Sequence, residues 1–380
     1  MGSRFKGVSF HNHTDFSLLD GMQSCADACR RAKQLGQQYV CISDHGNVAG
    51  HVEMYNQAKK HDLIPVLGTE LYVKDPKYDN GKAKGYHLCI WALDEEGLHN
   101  VWAISSNTYY RTSKDHRTPN TQWEDMEGHG KGVACTSACL ASAIANAAKA
   151  NDEEMALYFA ERYASIFDEF YIELHDNSMP EQREVNLWLL DFAKRHGYKV
   201  VYAVDAHYSR PEDADVHDMW LGCQTKAFYD EPHWKMEHEY YMQGEDEISR
   251  RLSYLGDDIR MVYDGIDDFL SKVQRYDLDT SRKVPVFPLP DGWTDNVAYL
   301  NYLLARNLLA KVGGVEILPN EDGDPVNHIR YRGRPNMDAM RPYRDQLLNI
   351  ELPVIVDNGL TDYFLIVQDY IRAARQELGV

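Results

Sequence analysis

A chain of 380 residues, 44% hydrophobic, is long enough for one large barrel or two ordinary domains around a sizeable buried core. Its net charge of −19 argues against a protein that coats nucleic acid through a general basic surface, but not against a nucleic-acid enzyme, because carboxylates that hold metal ions add formal charge which the ions cancel. No run approaches the roughly 20 apolar residues of a membrane span, and MGSRFKGVSF lacks a signal-peptide core, so the expected location is cytoplasmic (a host cytoplasm if the source is viral) with no membrane partner.

Seven short, apolar, β-branched stretches read as strands: GVSFHNH (7–13), QYVCISDH (38–45), IPVLGTELYV (64–73), HLCIWAL (87–93), GVACTSAC (132–139), FYIELHD (170–176) and KVVYAVDAHY (199–208). Helical patterns lie between them. In SCADACRRAKQLG (24–36) Ser24 can cap and Gly36 can end the helix, and PEQREVNLWLLDFAKRHG (180–197) has proline in its first turn and glycine at its end. Strand and helix in alternation predict an α/β fold with parallel strands and helices outside, closed as a barrel or spread as an open sheet. Residues 209–280 are mostly helical, and the proline-rich KVPVFPLPDGW (283–293) reads as a linker. Helical patterns follow at 295–313 and 337–358, separated by the turn-rich stretch 318–336, and a final helix covers 361–380. The expected organisation is therefore one domain over 1–280 and a smaller one over 281–380. Apolar residues in the last helix have no later partner, which predicts association with another polypeptide or a second copy.

The seven cysteines, Cys25, Cys29, Cys41, Cys89, Cys135, Cys139 and Cys223, are odd in number and not spaced as a disulfide scaffold, so most should be reduced and buried. Polar residues collect at the C-terminal ends of the strands. His11 and His13, two apart, share one strand face. Collecting ligand types at such positions gives His11, His13, Asp20, His45, Glu70, His87, Cys139, Asp205 and His207. In β/α barrels these ends build the active site, and only His87 departs, since it begins its strand. Histidine with carboxylate suits zinc, manganese or iron, and a thiolate leans toward zinc or iron. Close-set divalent ions lower the pKa of water and clamp both oxygens of a phosphate ester, so phosphoester hydrolysis is the natural chemistry.

Each of these residues also has a plainer reading. Cys139 alone is a small buried residue, Glu70 can cap a neighbouring backbone, and Asp205 can simply orient His207. His51, His61, His99 and His196 fall in helical patterns and read as surface residues, while His175, at a strand end, reads at most as a support behind the ligands. Cys25 with Cys29, and Cys135 with Cys139, lack the second half of a zinc-binding set.

The stretches HNHTDFSLLDG, ISDHGNVAGHVEMYNQAKK, IPVLGTELYV and VDAHYSRPEDADVHDMWLGCQT resemble, in order and spacing, the PHP (polymerase and histidinol phosphatase) domain of the C-family replicative polymerases, the bacterial-type DNA polymerase III alpha subunits. VFPLPDGWTDNVAYLNYLLARNLLAKVGG and IELPVIVDNGLTDYFLIVQDYIRAARQELGV resemble the start of the palm in that family. The resemblance implies a distorted seven-stranded β/α barrel followed by a mainly helical, partial palm. It implies that the nine residues above hold two or three divalent ions, Zn, Mn or Fe. An intact set implies a metal-dependent 3′–5′ exonuclease that proofreads during DNA replication, with catalysis resting most directly on Asp20, Asp205 and His207. The implied partners are DNA 3′ ends and the remaining polymerase half or other replisome subunits. The sequence stops at Val380, before the family's glycine-rich loop and palm aspartates, so no polymerisation is expected from this chain alone, whether it is a shortened piece or one half of a divided polymerase.

Asp44 is a candidate for orienting the neighbouring histidines. Arg330, Arg332, Arg334, Arg341 and Arg344, interleaved with Tyr331 and Tyr343, can meet phosphates and stack on bases, or form a solvated loop, the reading favoured here. Two other functions stay open: a non-catalytic protein-binding module of a replisome, and a free-standing small-molecule phosphatase, although the latter gives no reason for residues 285–380.

Overall fold

The computed structural model describes residues 10–79, 81, 84–111, 119–226, 228, 236, 239–279, 285–318 and 329–379. It separates into two compact units, Met1–Asp279 and Thr280–Val380. The first is built on β1 (Tyr39–His45), β2 (Ile64–Val73), β3 (Tyr86–Ala92), β4 (Val133–Thr136), β5 (Glu169–His175) and β6 (Lys199–Ala203), hydrogen-bonded in that order as a curled sheet. Around it lie α1 (Cys25–Gln34), α2 (His51–Lys60), α3 (Glu95–Arg111), α4 (Trp123–Met126), α5 (Ala143–Ala150), α6 (Glu153–Ile166), α7 (Pro180–His196), α8 (Ala214–Thr225), α9 (Glu245–Arg251) and α10 (Ile259–Lys272). The helix ends follow their residues. The Ser24 hydroxyl accepts the Asp27 N–H at 3.1 Å, Pro180 opens α7, and Gly197 closes it with φ 75°.

The sheet is mixed rather than all parallel. β1 pairs with β2, β4 with β5 and β5 with β6 in parallel, but β3 is antiparallel to both neighbours. The connection over residues 74–85 carries no helix among its described residues, and a short connection without a crossover helix returns antiparallel. This removes the exception at His87: because β3 runs backwards, its first residues lie at the same end of the sheet as the C-termini of β1 and β2.

Of the expected first strand, residues 7–9 lie outside the described residues, and 10–13 form a single bridge rather than a strand, with Asn12 opposite Ala206. The segment still joins the two ends of the sheet. His13 N–H donates to Ala206 O at 2.7 Å and Ala206 N–H to His11 O at 2.9 Å, while Ser43 N–H, on β1, donates to Asn12 O at 2.8 Å. Two other strands end earlier than expected. β4 stops at Thr136, so Cys139 sits in a loop after left-handed Ala138, φ 57°. β6 stops at Ala203, so Asp205, itself left-handed at φ 58°, and His207 belong to a loop and not to one strand face.

Below the bridging segment, Phe269 of α10 packs edge-on to Phe10 at 4.6 Å between centroids and to Trp91 at 5.9 Å, filling the interior with aromatic rings. The approach of α10 is close enough that a Cβ on Gly265 would lie 2.0 Å from Val200 O on β6. His51 is not a surface residue: it is 1% exposed, its Nε2 lies 2.9 Å from Gly68 O and its Nδ1 receives the Trp102 indole N–H at 2.9 Å. The expectation that most cysteines are buried fits the packing, since Cys25, Cys29, Cys41, Cys89 and Cys135 are buried.

The second unit contains α11 (Asn296–Lys311), the two-residue pair β7 (Glu316–Ile317) and β8 (Tyr331–Arg332), α12 (Met337–Gln346), α13 (Leu352–Asp357) and α14 (Thr361–Ala373). Leu300, Leu303 and Leu365 form its small core, with Phe287 and Leu289 packed on it. The described part of the proline-rich stretch is thus attached to this unit rather than acting as a free spacer. Phe287 N–H also donates to Asp362 Oδ1 at 3.1 Å. On α14, Tyr363, Phe364, Tyr370 and Ile371 stay exposed.

Candidate metal centre

Sheet register sets the first row of the centre. His45 lies opposite Glu70, and Glu70 opposite Cys89, so the end of β1, the interior of β2 and the middle of β3 present side chains to one place. Glu70, 1% exposed, is its hub: Oε2 lies 2.6 Å from His45 Nδ1, and Oε1 lies 2.6 Å from His87 Nδ1 and 3.3 Å from His11 Nε2. Its carboxylate serves side chains, not a neighbouring backbone. Cys139 Sγ stands 3.4 Å from His87 Nδ1, so Glu70, His87 and Cys139 form one three-ligand group.

The other side comes from loops. Asp205 Oδ1 lies 3.1 Å from His13 Nε2 and 3.4 Å from His11 Nε2. Asp20 Oδ2 lies 2.9 Å from His45 Nε2, and its Oδ1 lies 3.7 Å from His207 Nε2. His13, His45 and His207 form a second group, and His11, His13 and Glu70 a third that shares members with both. All nine sequence candidates therefore meet in one basin. His11, His13 and Glu70 form its buried floor, whereas the side chains of His45, His87, Asp20 and Asp205 keep 14–18% of their surface open at its mouth.

Hydrogen bonds behind the histidines decide which nitrogen faces the basin. The Ser17 hydroxyl donates to Asp44 Oδ1 at 2.7 Å, so toward His13 Nδ1, 3.1 Å away, it can only accept. His13 then carries its proton on Nδ1 and turns a lone pair inward on Nε2. Asp44, the candidate for orienting the neighbouring histidines, thus reaches His13 through Ser17. The same carboxylate accepts the Thr14 N–H at 2.6 Å and the Thr14 hydroxyl at 2.8 Å, pinning the turn that leads to Asp20. That turn is tight: a Cβ on Gly21 would lie 2.1 Å from Thr14 O. His207 donates Nδ1–H to the Asp205 carbonyl at 2.8 Å, again leaving Nε2 inward, so Asp205 orients His207 through its backbone while its carboxylate faces His11 and His13.

Charge and burial act together here. Burial, aided by the neighbouring His45 and His207, pushes His13 down to about 3 and keeps it neutral. Burial alone would lower His45 as well, but Glu70 and Asp20 on either side lift it to about 10. Burial works against the Glu70 and Asp205 carboxylates, yet the surrounding histidines hold both well below the usual range. Buried His13 Nε2, His207 Nε2, Asp20 Oδ1 and Asp205 Oδ1 have no hydrogen-bond partner, although they face one another. Buried polar atoms are nearly always paired. Two imidazole nitrogens and two carboxylate oxygens turned toward a common centre fit divalent cations, and these residues can hold them.

Sequence pattern does not single out several residues that the fold brings in. Glu173 on β5 reaches His11, Cys89 Sγ lies over the His11 ring 3.4–3.5 Å from its two nitrogens, and His217 Nε2–H on α8 donates to the Asp20 carbonyl at 2.9 Å. The one legible signal was Glu173, a charged residue in the middle of an apolar strand. His175 contacts Glu173 and meets the His11 ring edge-on at 5.6 Å between centroids. In the second unit, Arg332, Arg341 and Arg344 are exposed and paired with Glu316, Asp338 and Asp345, the arrangement of a solvated surface.

The family model for the PHP domain matches residues 9–177. The chain carries a PHP domain. Outside that span the likeness continues: the DNA polymerase III subunit alpha of Thermus aquaticus is 29% identical over 99% of this chain and 34% of its own length, and that of Deinococcus radiodurans is 33% identical over 65% of this chain and 20% of its own. The chain thus spans about a third of the length of curated relatives that it matches end to end. Among solved structures, a candidate metal-dependent phosphoesterase from Bifidobacterium adolescentis is 19% identical, with a TM-score of 0.35, over 65% of this chain and 95% of that one. No helix among the described residues is long and apolar enough to cross a membrane.

Proposed function

We propose that the PHP domain of this chain is a metal-dependent phosphodiesterase that removes nucleotides from DNA 3′ ends, a proofreading 3′–5′ exonuclease working in the cytoplasm as part of a DNA polymerase III alpha-type replication enzyme. On this reading residues 281–380 are the beginning of a palm, and the partners are DNA and the other replisome polypeptides. The observation that carries it is the set of inward, unpartnered lone pairs on His13, His207, Asp20 and Asp205 beside the Glu70 hub.

His11, His13, Asp20, His45, Glu70, His87, Cys139, Asp205 and His207 would hold two or three divalent ions, Zn, Mn or Fe. When bound, such ions supply Lewis acidity toward a phosphodiester and a lowered pKa for the attacking water. The chain's own residues do the rest. The Asp44–Ser17 pair keeps the His13 proton away from the reacting atoms, and the Asp205 carbonyl does the same for His207. The buried floor excludes bulk water, and the partly open Asp20, His45, His87 and Asp205 leave room for a phosphate to enter. That opening favours chemistry over a purely structural metal site, which would be closed with four ligands.

The test is digestion of a 3′-mismatched primer by the purified chain with manganese or zinc, against a chelator control. Metal-dependent release of mononucleotides from the 3′ end is expected. Absence of release by a chain that does bind metal would count for a structural role.

A further inference from the structure

We infer that Glu173 is a positioning residue that fixes the His11 tautomer and ring orientation for the metals of the centre; this rests on the metal reading above. Glu173 lies in β5, which carries none of the nine candidates, and it is 1% exposed. Its Oε1 lies 3.0 Å from His11 Nδ1, its Oε2 accepts the Thr136 hydroxyl, and its backbone N–H donates to Ser137 Oγ at 2.8 Å. The carboxylate is thus held between His11 and Thr136 of β4, while Ser137, the residue after β4, holds the Glu173 backbone.

A carboxylate can only accept, so His11 Nδ1 must carry a proton, and Nε2, 3.3 Å from Glu70 and 3.4 Å from Asp205, is the nitrogen left to face a metal. A flipped ring would carry Nδ1 away from Glu173 and put a carbon where Nε2 stands. Cys89 Sγ, packed over the ring, blocks that rotation from one face. His175, 4% exposed, places Nε2 2.6 Å from Glu173 Oε1, yet neither of its nitrogens has a hydrogen bond. It fills the space behind the carboxylate and leaves His11 as the partner with donor geometry. His11, Glu173 and His175 do not read as a further cation site, because His11 already spends Nδ1 on Glu173 and aims Nε2 at the basin. Carboxylates behind metal-binding histidines raise ligand basicity, and their loss typically weakens metal affinity by about 10–100-fold.

The experiment uses the full chain with Glu173→Gln, which keeps the shape and an acceptor for the His11 N–H but removes the charge. Binding of Mn²⁺ and Zn²⁺ is measured by calorimetry, Co²⁺ absorption is recorded, and folding is checked by circular dichroism. We expect a native spectrum, metal affinity lowered about 10–100-fold and an altered Co²⁺ band, which a purely structural role would not move. Wild-type affinity with an unchanged band would overturn the inference. If the Gln variant does not fold, Thr136→Val removes only the hydroxyl on Oε2; a several-fold loss supports the inference and unchanged affinity overturns it. A wild-type chain that takes up none of the three metals would instead overturn the metal reading itself, and this inference with it.

Discussion

The burial of His51 makes stability depend on pH in a window that can be calculated. Both ring nitrogens are committed inside the protein: Nδ1 accepts from Trp102 and Nε2–H donates to Gly68 O, so only the neutral ring fits. Burial lowers its pKa from 6.5 to about 4. Between those values the unfolded chain binds a proton that the folded chain refuses, so the stabilisation is complete above the unfolded pKa and is lost as pH falls toward the folded one. At 1.36 kcal/mol per pKa unit the full loss is about 3 kcal/mol, and roughly 2.5 kcal/mol of it has gone by pH 4.5. Urea unfolding followed at pH 7.5 and 4.5, with a chelator throughout, measures it. His51→Gln should start about 1–3 kcal/mol less stable at pH 7.5, because the Trp102 N–H loses its acceptor, but should fall by about 2.5 kcal/mol less between the two pH values. His13 and His217 titrate in both proteins and cancel from the comparison. An equally steep fall in the variant would refute a neutral, buried ring. The matter touches the site, since His51 grips the carbonyl of Gly68, two residues before Glu70.

Three further outcomes are expected. Replacing Asp20 and Asp205 together by asparagine should lower 3′ exonuclease activity by more than about 100-fold while leaving the circular dichroism spectrum unchanged; wild-type activity in that variant would sink the metal mechanism. Ser17→Ala should weaken Mn²⁺ binding about 10-fold in calorimetry, because the His13 proton is then free to move to Nε2; unchanged binding would mean that Ser17 does not set the tautomer. Gly265→Ala should destabilise the first unit by about 1–3 kcal/mol in urea, because the added Cβ would lie 2.0 Å from Val200 O, and a neutral result would show that α10 can shift away from β6.

The residues of the centre were legible because ligand types next to apolar, β-branched runs are conspicuous, and helix ends were legible because Ser24, Pro180 and Gly197 act locally. What escaped depends on distant partners. Glu173 shows in the sequence only as a charge inside an apolar strand, and its partner His11, 162 positions away, is not readable there. His51 lies in a helical pattern that looks solvent-facing, and only the packing of α3 with Trp102 and of β2 with Gly68 buries it. The reversal of β3 turns on how its neighbours pair, which hydrophobic pattern does not report. Alternation also made Asp205 and His207 look like strand residues, but a strand would have spread their side chains along one face; the loop gathers the Asp205 carboxylate and the His207 ring around the same point.

That gathering involves uncommon backbone. Leu19, just before Asp20, has φ 62°; Ala138, just before Cys139, has φ 57°; and Asp205 itself has φ 58°. A left-handed residue with a Cβ costs roughly 1–2 kcal/mol, so these loops hold strain at the positions that deliver site residues. Leu19 allows a clean test because it is 42% exposed and loses little burial on truncation. At an ordinary position Gly is less stable than Ala by about 0.5–1 kcal/mol, through the freedom it gives the unfolded chain. At position 19 the order should reverse: Leu19→Gly should be more stable than Leu19→Ala by about 0.5–1 kcal/mol, the steric relief outweighing the entropy. The same pair should separate in metal affinity if the strain serves the site, with the freer glycine holding Asp20 less firmly and binding Mn²⁺ more weakly. Urea midpoints for the two variants, with calorimetry on both, decide it. An alanine variant as stable as the glycine one would mean that the turn carries no strain, and the placement of Asp20 would then rest on its hydrogen bonds and those of the turn.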